Sequence, residues 1–435
     1  MSRPKILQRL RDPDSPLVAA CGVMIVFGIW LRVQRLAFPR GLTWDEHHFV
    51  NNARNYLQGL PDGNDHPPLG KLLMAVPMHF VGDSSLGWRL APLVLGILLI
   101  PLVGAVASWA TGRRNAFWVG CALAAGDGFL IAYSRSALLD GMLACLCLAA
   151  VWLALSSRSW LGLALASLLL GSACAIKYSA VVFAPLLLWA ALSKPSRWVS
   201  SLTLGLVPAV YAGWFSLGLW LAKQPFGLSS VVAETKRLYL HHAGLTQWVH
   251  PLLSHWYQWF LPTRPIPMRN DPLSDGRTRV LAAMGNPLLW WLVDLAVIVA
   301  VVSLIAALVG VARRREWGSA LGHALRLDGP GVRRGFLLAA WCAPIAPWWI
   351  SARDSYLYHY LPAYVFGVVL VATLFEAARQ RRRTVSLIAL LVVGQLSFYY
   401  SPIWGQLPLS REGVAARALW RRWQVAVSLR SPWDP

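Results

Sequence analysis

The chain contains 435 residues, of which 57% are hydrophobic and only 14% are charged, and its mean hydropathy is +0.50. This composition excludes a soluble globular domain, in which charged residues make up about 25% of the sequence. The apolar runs are long and continuous, whereas the strands of a membrane β-barrel alternate over about 10 residues, so the sequence predicts an all-α integral membrane protein.

The formal net charge of +21 arises from 40 basic and 19 acidic residues. Basic clusters lie at the ends of the apolar runs, as the positive-inside rule describes, and no nucleic-acid recognition module accompanies them. We therefore expect a lipid bilayer, and not nucleic acid, as the partner of this charge. The six cysteines all lie in apolar runs without a CxxC spacing, and they are interpreted as packing residues.

The first apolar run, from Leu17 to about Phe38, follows a basic amino terminus. A cleaved secretory signal is the alternative, but the run is long and is not followed by a small-residue cleavage pattern. We therefore expect a spanning helix with a cytoplasmic amino terminus, in the plasma (inner) membrane. Ten further runs are expected to span at 86–109, 116–133, 137–155, 160–176, 179–192, 199–222, 287–312, 335–350, 361–377 and 384–400.

With about eleven spans, the basic clusters that begin at Arg113, Lys194, Arg313 and Arg379 all face the cytoplasm. The chain then forms one transmembrane domain over residues 1–435. Its outer face carries a first outer loop at 39–85, a long outer loop at 223–286 and a tail at 401–435. In this tail, apolar residues lie among arginines between 410 and 430, which predicts an amphipathic helix on the bilayer surface.

Charged residues in or beside the apolar runs are the first indication of a site. A charge at the centre of a spanning helix costs about 2.5 to 3.5 kcal/mol, so such residues usually face a polar cavity or one another. The residues concerned lie near the outer ends of their runs and are Asp127, Arg135, Asp140 and Lys177. The structural alternative is that Arg135 pairs with Asp140 and that Lys177 extends to the lipid headgroups.

The first outer loop faces the same side and carries Asp45, Glu46, Asp65, His66 and Lys71. A cavity that mixes carboxylates with fixed cations suits a substrate that carries a phosphate and a reaction that needs a base. Cations hold phosphate through charge-assisted hydrogen bonds, and a carboxylate can take a proton from an acceptor hydroxyl. The long outer loop also carries four histidines that match no zinc spacing, namely His241, His242, His250 and His255.

Successive segments of the chain resemble the motifs of the protein O-mannosyltransferase family. In chain order they are WDEHHF, DHPPLGK, SRSALLDG, AIKYS, WYQWFLPTRPI, GNPLLWW and DSYLYHYLP. The resemblance implies a GT-C glycosyltransferase fold with about eleven transmembrane helices and short amphipathic helices in the outer loops. It also implies inverting transfer of mannose from a polyprenyl-phosphate mannose donor to Ser or Thr hydroxyls of proteins, on the extracytoplasmic side. The long outer loop has no room for the soluble MIR insertion, so the compact prokaryotic form is expected.

The resemblance also implies roles for individual residues. Asp45 would be the catalytic base, and Glu46 would hold the acceptor peptide or orient that base. The residues expected to contact the donor phosphate or sugar are Arg135, Lys71, Lys177, Asp65, His66 and Arg353. The supporting residues are Asp140, as the partner of Arg135, with Asp127, His48, His359 and Tyr360. No cofactor is expected, although Asp45, Glu46 and Asp65 could together bind a hard divalent ion.

Two alternatives come from other kinds of membrane protein. One is a lipid-linked sugar transferase that uses another sugar or a glycolipid acceptor, such as an aminoarabinose transferase, but that family usually carries additional helices and a soluble tail. The other is a transporter or lipid flippase, which predicts buried charges throughout the bilayer and helices broken at mid-depth. Here the charges collect at one face, which favours the transferase.

Overall fold

The computed structural model describes residues 14–43, 45–63, 65–245, 252–261 and 264–418. Its helices before the long outer loop, and the helix at the start of that loop, are α1 (Ser15–Val33), α2 (Glu46–Gln58), α3 (Leu69–Val81), α4 (Ser85–Thr111), α5 (Arg114–Gly126), α6 (Gly128–Ser134), α7 (Leu139–Ser156), α8 (Trp160–Ile176), α9 (Ala184–Leu192), α10 (Arg197–Leu202), α11 (Leu206–Leu221) and α12 (Leu228–Ala243). A 3-10 helix, Tyr178–Phe183, joins α8 to α9.

The second part of the chain begins with a hairpin and continues as helices. Its elements are β1 (Ile266–Pro272), β2 (Thr278–Ala283), α13 (Pro287–Arg314), α14 (Trp317–Leu325), α15 (Pro330–Cys342), α16 (Pro347–Ile350), α17 (Leu361–Arg381), α18 (Arg383–Trp404) and α19 (Arg411–Ala415). A 3-10 helix, Leu357–Tyr360, leads into α17. Each of the predicted apolar runs coincides with one of these helices or with two consecutive ones.

Seven segments among the described residues are helical, long and apolar enough to cross a membrane, and the bent pair α5 and α6 makes an eighth. The protein is therefore a multi-pass membrane protein. The number of spans predicted from sequence is not confirmed, because α8, the segment Tyr178–Leu192 and α15 are shorter than the roughly 20 residues of a straight crossing.

The outer loops contain the short helices that were expected, with α2 and α3 in the first loop and α12 in the long loop. The long loop also contains an antiparallel hairpin of β1 and β2, which the sequence interpretation missed. Its turn is closed by a hydrogen bond from Leu273 N to Arg277 O at 2.8 Å, and Gly276 adopts a φ of +79°. Most of the predicted tail helix lies outside the described residues.

Helix α17 is the centre of the transmembrane domain. It packs against α4, α5, α7, α13, α15 and α18. In its most apolar window, 83% of the residues are buried inside the protein, against 11% for α13. Because α17 is enclosed on every side, the 3-10 helix that precedes it and carries His359 is fixed relative to the outer ends of the surrounding helices.

The bend between α5 and α6 is 66° and is stabilised by two buried charged residues. Arg32 of α1 donates to Ala124 O at 2.9 Å and to Ala125 O at 2.7 Å, so it binds carbonyls at the end of α5. Asp127 sits at the bend and accepts hydrogen bonds from Leu130 N, Asn286 N and the Tyr364 hydroxyl. Asp127 therefore supports the bend and the start of α13, and these contacts give no support to its predicted role at a substrate cavity.

Replacing Asp127 by alanine should reduce stability without a specific effect on substrate affinity. Three buried donors would lose their acceptor, and an unsatisfied buried group costs about 1–3 kcal/mol. Thermal unfolding of the purified protein in detergent should show a clear fall in the midpoint temperature. An unchanged midpoint would contradict the assignment of Asp127 to the bend.

Candidate functional site

A cavity of about 630 Å³ lies between the outer end of α7, the 3-10 helix after α8, the end of α12 and the segment around α16. Its walls are mainly apolar and include Leu143, Val182, Phe183 and Pro362. Its rim includes Val181, which is 53% exposed, and Ile350, which is 92% exposed. Such a cavity can take an apolar chain along its walls, and it opens between apolar side chains.

One end of the cavity carries two cations. Lys177 Nζ donates to Asp140 Oδ1 at 2.8 Å and lies 5.0 Å from the centre of the Tyr358 ring. The guanidinium of Arg353 lies 5.7 Å from the centre of the Trp348 ring, and its Nε is buried without a hydrogen-bond partner. This end can therefore bind an anionic group, and it retains a donor for that purpose.

Two histidines from different outer loops meet beside these cations. The rings of His66 and His242 lie 5.1 Å apart, and the Nδ1 atom of each is buried without a partner. His242 also contacts Asp65 O through Nε2 at 2.7 Å and lines the cavity. His66 was predicted at the site, whereas the histidine pattern of the long outer loop gave His242 no role.

Burial and neighbouring cations keep both rings neutral. Burial lowers the pKa of His66 well below its usual value, and the positive charge of Lys177 lowers the pKa further. The pKa of His242 falls to about 4, again mainly through burial, with a further contribution from Arg353. The field at this end of the cavity therefore disfavours additional positive charge.

The paired carboxylates of the first outer loop have different surroundings. Glu46 is fully buried and forms a bidentate pair with Arg89 of α4, at 2.8 Å from Nε and 2.7 Å from Nη2. Its oxygens also accept from Thr43 N and Ala137 N, both at 2.8 Å. Burial alone would raise the pKa of Glu46, but Arg89 and the two amides hold that pKa below its usual value.

Arg89 uses all of its donors in this arrangement. Besides Glu46, it binds Leu36 O at 3.2 Å, Pro39 O at 3.0 Å and Gly41 O at 3.0 Å. The chain segment that enters the first outer loop is therefore tied to α4 and, through Glu46, to the turn before α7. Of the two roles proposed for Glu46, this geometry supports orientation of the neighbouring base and not contact with a peptide.

Asp45 immediately precedes α2, and its side chain accepts no hydrogen bond from the first turn of that helix. Its carboxylate is close enough to Tyr133 and Tyr358 to interact with them electrostatically. Burial and then the charge of Asp45 raise the pKa of Tyr356. Lys177 lies over the ring of Tyr358. Tyr358 therefore interacts both with the predicted base, Asp45, and with a cation of the cavity.

Asp65 and Lys71 hold the loop around His66. The Asp65 carboxylate lies 3.1 Å from His241 Nε2 and 3.5 Å from Arg237 Nη1, so it joins the first outer loop to α12. Lys71 is fully buried, pairs with Asp62 and donates to His66 O at 2.6 Å. Neither side chain lines the cavity, and both hold the loop that packs His66 against His242.

The expected pair of Arg135 with Asp140 is wrong. Asp140 pairs with Lys177, whereas Arg135 is buried and donates to the carbonyls of Leu31 and Gln34, the latter at 2.9 Å. The last carbonyls of α1 have no partner within that helix and carry its negative dipole end, so they attract a cation. Arg135 therefore fixes the end of α1, and this position gives no support to its predicted contact with the donor phosphate.

The remaining supporting residues divide between the cavity and the core. His359 lines the cavity, with its ring 4.3 Å from that of Trp348 and its Nδ1 3.1 Å from Tyr356 N. Tyr360 is fully buried, and its hydroxyl accepts from Trp341 Nε1 at 3.2 Å, so it belongs to the aromatic core. The His48 ring lies 3.8 Å from that of His47, and burial lowers the pKa of His48.

The expectation that the protein needs no metal ion stays a prediction. Among the described residues, no three His, Cys, Asp or Glu side chains are grouped in a way that could hold a metal ion. Glu46, one of the possible ligands, already has its oxygens occupied by Arg89 and two backbone amides.

Replacing Arg89 by methionine should reverse the pH dependence of stability near the first outer loop. In the native protein, the lowered pKa of Glu46 contributes stability above its unfolded value of about 4.3 and loses it as the pH falls further. Without Arg89, a buried unpaired carboxylate costs about 3–5 kcal/mol, and its raised pKa makes the variant more stable at pH 5 than at pH 7.

Thermal unfolding in detergent at these two pH values tests this prediction. Arg54→Met is the matched control, because Arg54 forms a solvent-exposed pair with Asp83 that is worth at most about 1 kcal/mol. If Arg89→Met unfolds like the control at both pH values, the buried pair does not organise the loop.

Three models of one family match successive parts of the chain. The model described as dolichyl-phosphate-mannose-protein mannosyltransferase matches residues 65–220, and a second model with the same description matches residues 22–86. The model described as the C-terminal four TMM region of protein-O-mannosyltransferase matches residues 228–423.

Relatives with similar sequences span nearly the whole chain. The polyprenol-phosphate-mannose–protein mannosyltransferase of Mycobacterium tuberculosis H37Rv is 26% identical, over 85% of this chain and 84% of its own length. The protein of the same name from Mycolicibacterium smegmatis mc(2)155 is 25% identical, over 85% of each chain.

Solved structures show the same fold. A chain of the Saccharomyces cerevisiae protein O-mannosyltransferase Pmt1-Pmt2 complex bound to the sugar donor superposes with a TM-score of 0.76, at 14% identity, over 95% of this chain and 94% of that chain. The Archaeoglobus fulgidus oligosaccharyltransferase tethered with an acceptor peptide gives a TM-score of 0.51 at 11% identity, over 90% of this chain and 55% of that chain. The fold is thus that of GT-C glycosyltransferases, and the chain belongs to the protein O-mannosyltransferase family.

Proposed function

We propose that this protein transfers mannose from a polyprenyl-phosphate mannose donor to Ser or Thr hydroxyls of proteins, with inversion, on the extracytoplasmic side of the plasma membrane. The observation that carries the proposal is the cavity with apolar walls and one cationic end, formed by Lys177 and Arg353. A lipid-linked sugar phosphate has the same two parts. The names of the mycobacterial relatives support mannose as the sugar and protein as the acceptor.

Asp45 is the proposed base of the acceptor reaction. The carboxylate takes the proton of the acceptor hydroxyl while that oxygen forms a bond to C1 of mannose. The bond from C1 to the phosphate oxygen breaks, and its electron pair remains on the departing lipid phosphate. Glu46 and Arg89 fix the backbone beside Asp45, so the base is oriented before the acceptor arrives.

The leaving group is stabilised by the chain's own cations. Negative charge grows on the lipid phosphate in the transition state, and fixed donors at that point stabilise the transition state more than the ground state. Arg353 has a buried donor without a partner, and Lys177 is held at its place by Asp140. Because these two side chains can neutralise charge on the leaving phosphate, we propose metal-independent transfer.

The membrane orientation rests on charge. The basic clusters at the ends of the apolar runs favour the cytoplasm, and we therefore propose that α2, α3, α12 and the hairpin face the outside. An acceptor on that side would be a secreted or surface protein.

Membranes that contain the protein should transfer radiolabel from polyprenyl-phosphate mannose into protein, and Asp45→Asn should abolish that transfer. The amide cannot act as a base, whereas the cationic end of the cavity is unchanged, so binding of the donor should persist. Label in protein, lipid and aqueous fractions is the measurement. Asp275→Asn, in the exposed turn of the hairpin, is the matched control. Normal turnover by Asp45→Asn would remove Asp45 from its role, and label in a lipid other than the donor, with none in protein, would indicate a glycolipid acceptor.

Replacing Arg353 by alanine should raise the KM for the donor about tenfold, because a hydrogen bond to a charged group is worth about 1.5–3 kcal/mol.

Replacing Arg135 by alanine should instead lower the unfolding temperature, since Arg135 binds the end of α1. Initial rates at varied donor concentration and thermal unfolding distinguish the two effects. Arg277→Ala, in the exposed hairpin turn, is the control. A raised donor KM in Arg135→Ala with unchanged stability would restore the role predicted from sequence.

A further inference from the structure

The cationic end of the cavity contains more nitrogen donors and acceptors than a single phosphate contact needs. Three buried side-chain nitrogens without a partner lie at or beside this end. Arg353 Nε and His242 Nδ1 belong to residues that line the cavity, and His66 Nδ1 belongs to the ring packed against that of His242. His66 comes from the turn before α3, and His242 comes from the last turn of α12. Two separate loops thus deliver imidazoles to the same place.

The charges around the two rings come from every element packed against them. On the first outer loop they are Asp62, Asp65 and Lys71; on α12 they are Glu234, Arg237 and His241; around the cavity they are Lys177, Arg353 and His359. The acids of the first loop are engaged, since Asp62 pairs with Lys71 and Asp65 with Arg237 and His241. Besides burial, the charges that oppose protonation of the rings are therefore mainly those of Arg353 and of Lys177, which is paired with Asp140. An anion bound to Lys177 and Arg353 would weaken that opposition.

The proposed reaction changes the charge of such an anion. The donor is a phosphodiester with one negative charge. When the bond from C1 to oxygen breaks, the product is a lipid phosphomonoester, whose second ionisation has a pKa of about 6, as for other phosphomonoesters. The product therefore carries close to one more negative charge at neutral pH than the donor did.

Given the proposed function, on which this step rests, we propose that His66 and His242 form a product-recognition site. This site takes up a proton from water when the second negative charge appears on the lipid phosphate. A protonated imidazole then donates a charge-assisted hydrogen bond to the monoester, in addition to Lys177 and Arg353. The site consequently binds the leaving lipid phosphate more tightly than the donor, and the release of that product depends on loss of the proton.

The test compares two ligands with the same lipid chain, farnesyl phosphate and its methyl ester, a phosphodiester that cannot take the second negative charge. Their affinities for the purified full chain are measured by calorimetry at pH 7.5 in two buffers of different ionisation enthalpy, which also gives the number of protons taken up. For the native protein we expect about tenfold tighter binding of the monoester, with uptake of a proton. His242→Gln and His66→Gln should each reduce the preference and the uptake, while the diester affinity changes little.

His79→Gln is the matched control, because His79 is exposed at the end of α3. Equal affinity for the two ligands in the native protein, or an unchanged preference in both histidine variants, would overturn the inference. Using two variants from different loops keeps the test decisive if one of them does not fold. Mannose transfer into protein is scored separately, so a protein that prefers the monoester but transfers no mannose contradicts the proposed function alone.

Discussion

The buried pair of Glu46 with Arg89 is the constraint on which the candidate site depends. A charged pair without access to water is stable only when its remaining hydrogen-bonding groups are also satisfied, and here every donor of Arg89 and both oxygens of Glu46 are used. The pair joins the first outer loop to α4 and to the turn before α7. Asp45 is adjacent to Glu46 in sequence, so the backbone that carries the proposed base is held in place by this pair.

The fold could be predicted largely from the apolar runs, because the apolar side chains of each helix must either be buried in the protein or face lipid. The buried arginines could not be recognised by the same reasoning. Arg32 and Arg89 lie inside apolar runs, where their charge should have marked them, but they sit near the ends and resemble the flanking cations of any span. The hairpin around Gly276 left a local signal, an Asp-Gly turn between two strand-like segments, which the expectation of helices obscured.

The hydrogen-bond and ion-pair partners of the charged residues were harder to predict than the positions of those residues in the fold. Lys177 and Asp140 were both expected at the site, yet they bind each other, while Arg135 binds carbonyls at the end of α1. A backbone carbonyl has no sequence signature, so a nearby carboxylate is the natural but mistaken choice. His242 illustrates the opposite case, since its role arises only when α12 brings it beside His66. Contacts between distant loops depend on the tertiary fold and leave no spacing pattern.

The apolar rim of the cavity has a consequence for how this enzyme meets its donor. With Val181 and Ile350 at the opening, a lipid can reach the cations by lateral diffusion while its tail stays dissolved among its neighbours. The search is then two-dimensional, and the relevant substrate concentration is a mole fraction in the bilayer and not a molarity in water. Transfer rates should accordingly follow membrane composition and fluidity, and dilution of the vesicles in buffer should leave them unchanged.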